Sequence, residues 1–202
     1  MTVYYIGGSP CSGKSTVAEA LAARYGLTYF KADDFLDDLI AEGAAAGLPV
    51  CERIRRMTEE ETWMRAPEVQ CREELDFYAE VHGLLMRRLN TLESAAVVAE
   101  GACFLPQLMH DLGIPPQRYI AITPSRDFQV SRYRERPWVP QVLRDCTDPD
   151  AAFANWMARD ALFAGEVRRQ CARLGYESLL TDGDVCEADR LSQVARHFGL
   201  EP

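Results

Sequence analysis

Gly8-Ser9-Pro10-Cys11-Ser12-Gly13-Lys14-Ser15 has the pattern G-x-x-x-x-G-K-S, and this stretch decides the fold. An apolar, β-prone run precedes it at residues 3–6, and a helix-patterned run follows it at residues 17–22. A glycine-rich loop between a strand and a helix points several backbone N–H groups at one anion, and the helix N-terminus adds the positive end of its dipole. The sequence therefore predicts a P-loop that binds nucleotide phosphates, in preference to an ordinary glycine-rich turn.

The side chains of the loop predict how a nucleotide is held. Lys14 can reach the β- and γ-phosphates, and the Ser15 hydroxyl can ligate Mg²⁺. A turn after the last predicted strand, residues 181–184, is placed to contact an adenine base, although the same residues could form an ordinary β-turn. The predicted nucleotide-binding residues are Gly8, Ser9, Pro10, Cys11, Ser12, Gly13, Lys14, Ser15, Thr16 and Gly183.

Composition limits the classes of partner. The 202 residues are 48% hydrophobic, enough for one core, and the net charge of −9 argues against nucleic acid, whose phosphates demand a basic face. No apolar run approaches the length of a membrane span, and the three histidines are too far apart for a zinc site. The seven cysteines lack metal-ligand spacing, and the N-terminal sequence has no signal-peptide pattern. We therefore expect reduced thiols in a cytoplasmic protein. Nothing in the composition indicates an oligomeric state.

Lysine is almost absent from the chain, since Lys14 and Lys31 are the only two beside 20 arginines. A coding bias toward arginine explains most of this, and the positions that keep lysine are candidates for needing a compact ammonium group. Lys31 is therefore a second, weaker candidate for a residue that lines the site. A guanine-reading N/T-K-x-D motif needs a lysine, and neither lysine lies in one, which excludes a GTPase switch.

Strands and helices alternate along the chain. The predicted strands are residues 3–7, 27–31, 95–99, 118–123 and 177–181. The predicted helices are residues 14–25, 34–43, 150–174 and 187–198, with a mostly helical region at 50–93 and a helix that Pro137 ends. This alternation predicts an α/β fold with a parallel sheet and helices on both faces, in a single domain over residues 1–202.

An acidic pair, Asp33-Asp34, follows the second predicted strand. Ligands of open α/β sheets bind beyond the carboxyl ends of the strands, so we expect this pair on the same edge as the P-loop. Phosphoryl transfer needs a carboxylate that accepts the proton of the attacking hydroxyl. Asp33 is the first candidate for this base and Asp34 the second, and Asp34 is also a candidate for contact with Mg²⁺. The alternative is that the aspartates only cap the next helix.

Glu100 ends the third predicted strand, directly before Gly101. An acidic residue at the end of a buried strand is where P-loop proteins place a ligand of Mg²⁺ or its water. No aspartate occupies this position, so Glu100 is the predicted metal-site carboxylate beside Ser15. The alternative is a polar strand end that meets solvent.

Arginines cluster after the fourth predicted strand. Arg132 and Arg136 are four residues apart, so they share one face of a helix. Two arginines that close over the phosphates would neutralise the charge that develops there and exclude water. The alternative is an ordinary arginine-rich surface helix. The Pro- and Asp-rich segment 137–150 that follows is typical of a mobile flap.

These motifs resemble those of P-loop small-molecule kinases that share the nucleoside monophosphate kinase fold. That group includes shikimate and gluconate kinases, chloramphenicol phosphotransferase, uridine kinase and nicotinamide riboside kinase. The P-loop carries the resemblance, together with Asp33-Asp34-Phe35, which is similar to the aspartate motif after the second strand in uridine and nicotinamide riboside kinases. The arginines at 132 and 136 resemble the lid arginines of these kinases.

The resemblance implies a three-layer P-loop NTPase fold with the strand order 2-3-1-4-5, and Asp33 as the base. It also implies a helical acceptor-binding insertion at about 36–93 and a lid at about 126–150. Residues in the insertion that could contact an acceptor are Trp63, Arg65, Gln70, Arg72, Tyr78 and His82.

Taken together, the residues predict a kinase that uses ATP and Mg²⁺ and phosphorylates a hydroxyl of a small molecule. The predicted catalytic residues are Lys14, Asp33, Arg132 and Arg136, and the predicted metal-site residues are Ser15, Asp34 and Glu100. Two alternatives stay open. One is an ATP-binding sensor without chemistry, and the other is a kinase of nucleotide sugars. No nucleic acid and no membrane are expected as partners.

Overall fold

A computed structural model describes residues 1–200, so the last two residues of the predicted 1–202 domain lie outside the described part. Five strands form one parallel sheet in the order β2-β3-β1-β4-β5, which confirms the predicted α/β class and strand order. The strands are β1 (Thr2–Gly8), β2 (Thr28–Lys31), β3 (Ala96–Glu100), β4 (Tyr119–Pro124) and β5 (Glu177–Thr181).

Ten helices connect the strands in the described part of the chain. They are α1 (Lys14–Tyr25), α2 (Leu36–Ala45), α3 (Pro49–Arg56), α4 (Glu59–Trp63), α5 (Pro67–Asn90), α6 (Pro106–Asp111), α7 (Arg126–Arg134), α8 (Val139–Val142), α9 (Pro149–Leu174) and α10 (Glu187–His197). Short 3₁₀ turns occupy Ala32–Phe35 and Pro116–Arg118. No helix within residues 1–200 is long and apolar enough to cross a bilayer.

Alternating side chains of the strands build two cores. Tyr4, Ile6, Val98, Ile120 and Ile122 point to one face, where they pack with α1 and α10. The intervening residues, such as Tyr5, Val97 and Tyr119, point to the other face and pack with α5, α6 and α9. Both faces of the sheet are therefore covered, as a parallel sheet requires.

The helical region at 50–93 is not one helix but three, because Pro49 and Pro67 each begin a new helix and Met57-Thr58 separates α3 from α4. Proline is favoured in the first turn of a helix, where its missing N–H has no partner to lose. The 137–150 segment contains α8 and contributes Val139, Leu143 and Cys146 to a third apolar cluster.

Candidate active site

The P-loop connects the end of β1 to the start of α1. Gly13 precedes α1 with φ 83°, and Cys11 has φ 59°, the one positive φ of a non-glycine residue within residues 1–200. Gly8 has φ 126°, and a Cβ built on it would lie 1.8 Å from the carbonyl oxygen of Ile122 on β4. Only glycine fits this approach of the loop to the sheet.

Lys14 is folded over the loop. Its side chain is largely buried, and Nζ donates a hydrogen bond to the carbonyl oxygen of Ser9 at 2.9 Å. The hydroxyls of Ser9 and Ser12 are also buried, without a hydrogen-bond partner among the described residues. The ammonium group of Lys14 and the hydroxyls of Ser9 and Ser12 are therefore available to an anion that binds in the loop.

Ser15 and Glu100 meet at the carboxyl edge of the sheet. Ser15 Oγ donates to Glu100 Oε1 at 2.9 Å, and the hydroxyl of Tyr29 on β2 donates to the same oxygen at 2.9 Å. Glu100 is 1% exposed, and its Oε2 has no hydrogen-bond partner in the described part of the chain. Burial, and then the charge of Glu100, raises the pKa of Tyr29, so this phenol stays protonated and able to donate.

The aspartate pair lies in the 3₁₀ turn after β2, and its two side chains differ in surroundings. Because β2 pairs with β3, the turn is adjacent to Gly101, and a Cβ built on Gly101 would lie 3.5 Å from Asp33 Oδ1. Asp34 is exposed and forms an ion pair with Lys31 at 3.4 Å. Both aspartates are exposed, and what distinguishes them is that Asp33 lies at the end of β3 while Asp34 pairs with Lys31.

A cavity of about 540 Å³ lies beside the P-loop. Its walls come from the loop, from α1, from α7 and the residues just after it, and from the β5–α10 segment with the start of α10. They include Cys11, Ser12, Gly13, Thr16, Phe128, Arg132, Arg136, Gly183 and Arg190. Thr181 at the end of β5 donates to the carbonyl oxygen of Ser12 at 2.9 Å, which fixes this segment to the loop. Five of the ten residues predicted to bind nucleotide therefore line this cavity: Cys11, Ser12, Gly13, Thr16 and Gly183.

The two predicted lid arginines are held differently. Arg132 forms an exposed ion pair with Glu135 at 3.1 Å. The guanidinium of Arg136 lies over the rings of Tyr133 and Trp138, at 5.2 and 5.5 Å from their centroids. Burial raises the pKa of the Cys11 thiol, and among the cations near it Arg136 lowers that pKa most. Of the two lid arginines, Arg136 therefore acts more strongly on Cys11 than Arg132 does.

A buried polar network joins α5 to α9, and nothing in the sequence pattern indicated it. Arg159 forms an ion pair with Glu74, and its Nε lies 2.7 Å from Asp160 Oδ1. The hydroxyl of Tyr78 donates to Glu74 Oε1 at 3.0 Å. Arg159 and Asp160 follow no recognisable motif, and Glu74 lies 85 residues away from Arg159.

The residues predicted as acceptor contacts divide into structural and accessible groups. Trp63 stacks on Trp156 with ring centroids 4.3 Å apart, and Gln70 donates to the carbonyl oxygens of Trp63 and Arg65. Arg65 and Arg72 line a groove of about 390 Å³. Tyr78 belongs to the buried network, and burial lowers the pKa of His82.

Candidate metal ligands are few. Within residues 1–200 no group of three or more His, Cys, Asp or Glu side chains is arranged to hold a metal ion. Ser15 and Glu100 are the predicted metal-site residues that lie in direct contact, while Asp34 pairs with Lys31. Mg²⁺ in nucleotide sites keeps several waters and takes phosphate oxygens as ligands, so two protein groups match its usual surroundings.

No protein-family model matches the chain, and no curated protein sequence is similar to it. Solved structures do match. An uncharacterised protein from Eubacterium ventriosum is 16% identical, with 99% of each chain covered and a TM-score of 0.50. A gluconokinase from Sinorhizobium meliloti is 16% identical, with 98% of this chain and 91% of that chain covered and a TM-score of 0.47. A shikimate kinase from Bacteroides thetaiotaomicron is 15% identical, with 96% and 97% covered and a TM-score of 0.49.

At such identities a likeness concerns the fold alone. The strand order, the P-loop between β1 and α1 and the helices on both faces give the chain a three-layer P-loop α/β fold. The fold class predicted from the sequence is thereby confirmed.

Proposed function

We propose that the protein is a kinase that uses ATP and Mg²⁺ and transfers the γ-phosphoryl group to a hydroxyl of a small molecule, such as a metabolite, a nucleoside or an antibiotic-like compound. The proposal rests on one observation: the P-loop with Lys14, the hydrogen bond from Ser15 to Glu100, and Asp33 beside Gly101 lie along the same edge of the sheet. A P-loop alone supports nucleotide binding. A carboxylate beside it supports chemistry on a hydroxyl.

Binding of the nucleotide follows from the loop and the adjoining cavity. The backbone N–H groups of the loop and the ammonium group of Lys14 would surround the phosphates, and the glycines at 8 and 13 leave the backbone accessible. The cavity bounded by Phe128 and Gly183 would hold the nucleoside. Ser15 and the unpartnered Oε2 of Glu100 would hold Mg²⁺ or its water, with phosphate oxygens as the other ligands.

Phosphoryl transfer would then require that the acceptor hydroxyl is positioned in line with the γ-phosphate and that the negative charge on the transferring group is neutralised. Asp33 would accept the proton of the acceptor hydroxyl while the hydroxyl oxygen bonds to the γ-phosphorus and the bond from that phosphorus to the β–γ bridging oxygen breaks. Arg132 and Arg136, in the proposed lid at 126–150, would neutralise charge on the transferring group. The helices at 36–93 would bind the acceptor.

The experiment is an assay of ADP release with a panel of hydroxyl compounds, in which Lys14→Ala is compared with the parent protein. We expect acceptor-dependent ADP release to fall by about a hundredfold or more, because Lys14 is the cation within the loop. Arg24→Ala, at the opposite end of α1, is the matched control and should retain activity.

Full transfer by Lys14→Ala would overturn the kinase proposal. Nucleotide binding by the parent protein without transfer to any hydroxyl compound would favour a sensor of ATP instead.

A further inference from the structure

Arg136 lies where the cavity beside the P-loop meets a group of aromatic rings. Its side chain lines that cavity, and its guanidinium lies over the rings of Tyr133 and Trp138. A cation is attracted to the face of an aromatic ring, and tryptophan gives the strongest attraction. The two rings therefore favour one position of this cation, at the edge of the cavity.

Further aromatic rings pack behind these two. The ring of Trp156 on α9 lies 4.9 Å from that of Tyr133 and 5.9 Å from that of Trp138, measured between centroids. Trp63, at the end of α4, stacks on Trp156 at 4.3 Å. Cys11 of the P-loop packs against the same apolar side chains. The aromatic cluster of Trp63, Tyr133, Trp138 and Trp156 thus contains all three tryptophans of the chain.

Hydrogen bonds fix the aromatic cluster to α4. The backbone N–H and the hydroxyl of Thr147 donate to the two carboxylate oxygens of Glu60 on α4, at 2.8 and 2.9 Å. Asn155 on α9 donates from Nδ2 to the carbonyl oxygen of Trp63 at 3.1 Å. The segment after α8 and the start of α9 are therefore both bonded to the helix that carries Trp63.

Trp138 is the exposed member of the aromatic cluster. Its side chain is 39% exposed, so its burial adds less to stability than that of Trp156, which is 5% exposed. One side of the ring contacts Tyr133 and Trp156, and Arg136 lies over it. What this position supplies is a ring for the guanidinium.

We propose that Trp138 is a positioning residue for Arg136, and that the aromatic cluster, fixed to α4, sets the place at which this cation meets the nucleotide phosphates. The inference rests on the proposed kinase function, in which Arg136 neutralises charge on the transferring group. Preorganised charge acts only when it is correctly placed, and a shift of about 1 Å can cost a large part of the rate. Arg132 lies over Phe128 instead, outside the aromatic cluster.

Trp138→Ala removes the ring beside Arg136. We expect kcat at saturating ATP to fall by about tenfold, while KM for ATP changes by less than about twofold because the rest of the cavity is unaltered. Trp138→Phe keeps an aromatic face and should have a kcat within about threefold of the parent. Leu162→Ala, at an exposed apolar residue of α9, is the matched control and should have parental kcat.

A double variant shows whether Trp138 acts through Arg136. Once Arg136 is replaced by alanine, Trp138→Ala should lower kcat by less than about twofold more, because the group that the ring positions is gone. A further tenfold loss would mean that Trp138 has a role independent of Arg136.

Tryptophan fluorescence tests the same contact without any acceptor, since every tryptophan of the chain lies in the aromatic cluster. Binding of the unreactive ATP analogue adenylyl imidodiphosphate with Mg²⁺ should change the emission, because its phosphates bind the cation that lies on Trp138. In Arg136→Ala this change should fall by about half or more, while calorimetry shows an affinity for the analogue within about fivefold of the parent.

The outcomes separate the two proposals. Parental kcat in Trp138→Ala, additive losses in the double variant, or nucleotide binding that leaves the emission unchanged overturns this inference and leaves the kinase intact. Absence of transfer to every hydroxyl compound counts against the kinase itself, and the fluorescence titration still decides whether Trp138 and Arg136 respond together to the nucleotide.

Discussion

Ser15 Oγ donates a hydrogen bond to Glu100 Oε1 at 2.9 Å, so the last residue of the P-loop motif contacts the end of β3 directly. Tyr29 donates to the same oxygen from the other side, across β2 and β3. Two donors on Oε1 fix the carboxylate in one orientation. That orientation leaves Oε2, buried and without a partner in the part of the chain that the structure describes, as the available oxygen.

Glu100→Gln should therefore weaken the use of Mg²⁺. We expect the Mg²⁺ concentration for half-maximal ADP release to rise by about tenfold, because a carboxamide carries no charge. Tyr29→Phe should raise it by roughly two- to fivefold, since it removes a single hydrogen bond of about 1 kcal/mol. Titration of activity with MgCl₂ at fixed ATP measures both.

Tyr25→Phe is the control, because the Tyr25 hydroxyl forms no hydrogen bond within residues 1–200. If Tyr29→Phe and Tyr25→Phe behave alike, Tyr29 does not position the carboxylate.

Asp33→Asn should reduce turnover and spare nucleotide binding. Loss of a general base costs about 10²–10⁴ in rate, so kcat should fall by that factor while the affinity for a fluorescent ATP analogue stays within about twofold. Asp37→Asn, exposed on the next turn of α2, should have parental kcat. Parental turnover in Asp33→Asn would transfer the role of base to Asp34 or Glu100.

Much of this arrangement could be predicted from sequence, because its signals are local. The P-loop lies between a strand and a helix, the strands alternate with helices, and Glu100 directly ends a buried run. Tyr29 and Asp160 could not be predicted. Tyr29 lies 71 residues from Glu100, and Asp160 occupies a helix position that any polar residue could fill. Only the packing of distant elements gives these two side chains their surroundings.

The two glycines at 8 and 83 should respond in opposite ways to alanine. Gly8→Ala places a Cβ 1.8 Å from the carbonyl oxygen of Ile122 at φ 126°, so we expect a loss of about 3 kcal/mol or more in the free energy of unfolding, or no folded protein. Gly83 lies inside α5, where a Cβ would meet nothing within 4 Å among the described residues outside its own helix backbone. Gly83→Ala should stabilise by about 0.5–1 kcal/mol. Urea unfolding of both variants measures the difference, and a destabilised Gly83→Ala would contradict it.

Arg136 should matter more than Arg132. Both arginines line the cavity beside the P-loop and lie over aromatic rings, but Arg132 is also paired with Glu135. We expect Arg136→Ala to lower kcat by about a hundredfold and Arg132→Ala by about tenfold or less. Arg134→Ala, on another face of α7, is the control. Steady-state kinetics with saturating ATP compares the three, and equal losses in Arg132→Ala and Arg136→Ala would refute the ranking.

Asp160 should make stability depend on pH in a direction opposite to that of most carboxylates. Burial raises its pKa from 3.8 to about 6 in the folded protein. The folded state therefore holds this proton more tightly than the unfolded state, and its contribution to stability falls as pH rises from about 4 to about 6. Above that range the ionised carboxylate destabilises the fold relative to its protonated form, by about 3 kcal/mol.

Asp160→Asn removes this titration. We expect the variant to gain stability relative to the parent when urea unfolding is measured at pH 7.5, and to lose about half of that gain at pH 5, where the carboxyl of the folded parent is largely protonated. Other titrating groups cancel in the comparison, and Asp111→Asn should show no such change between the two pH values. A difference between variant and parent that is the same at pH 5 and pH 7.5 would mean that Asp160 is ionised throughout, held so by Arg159.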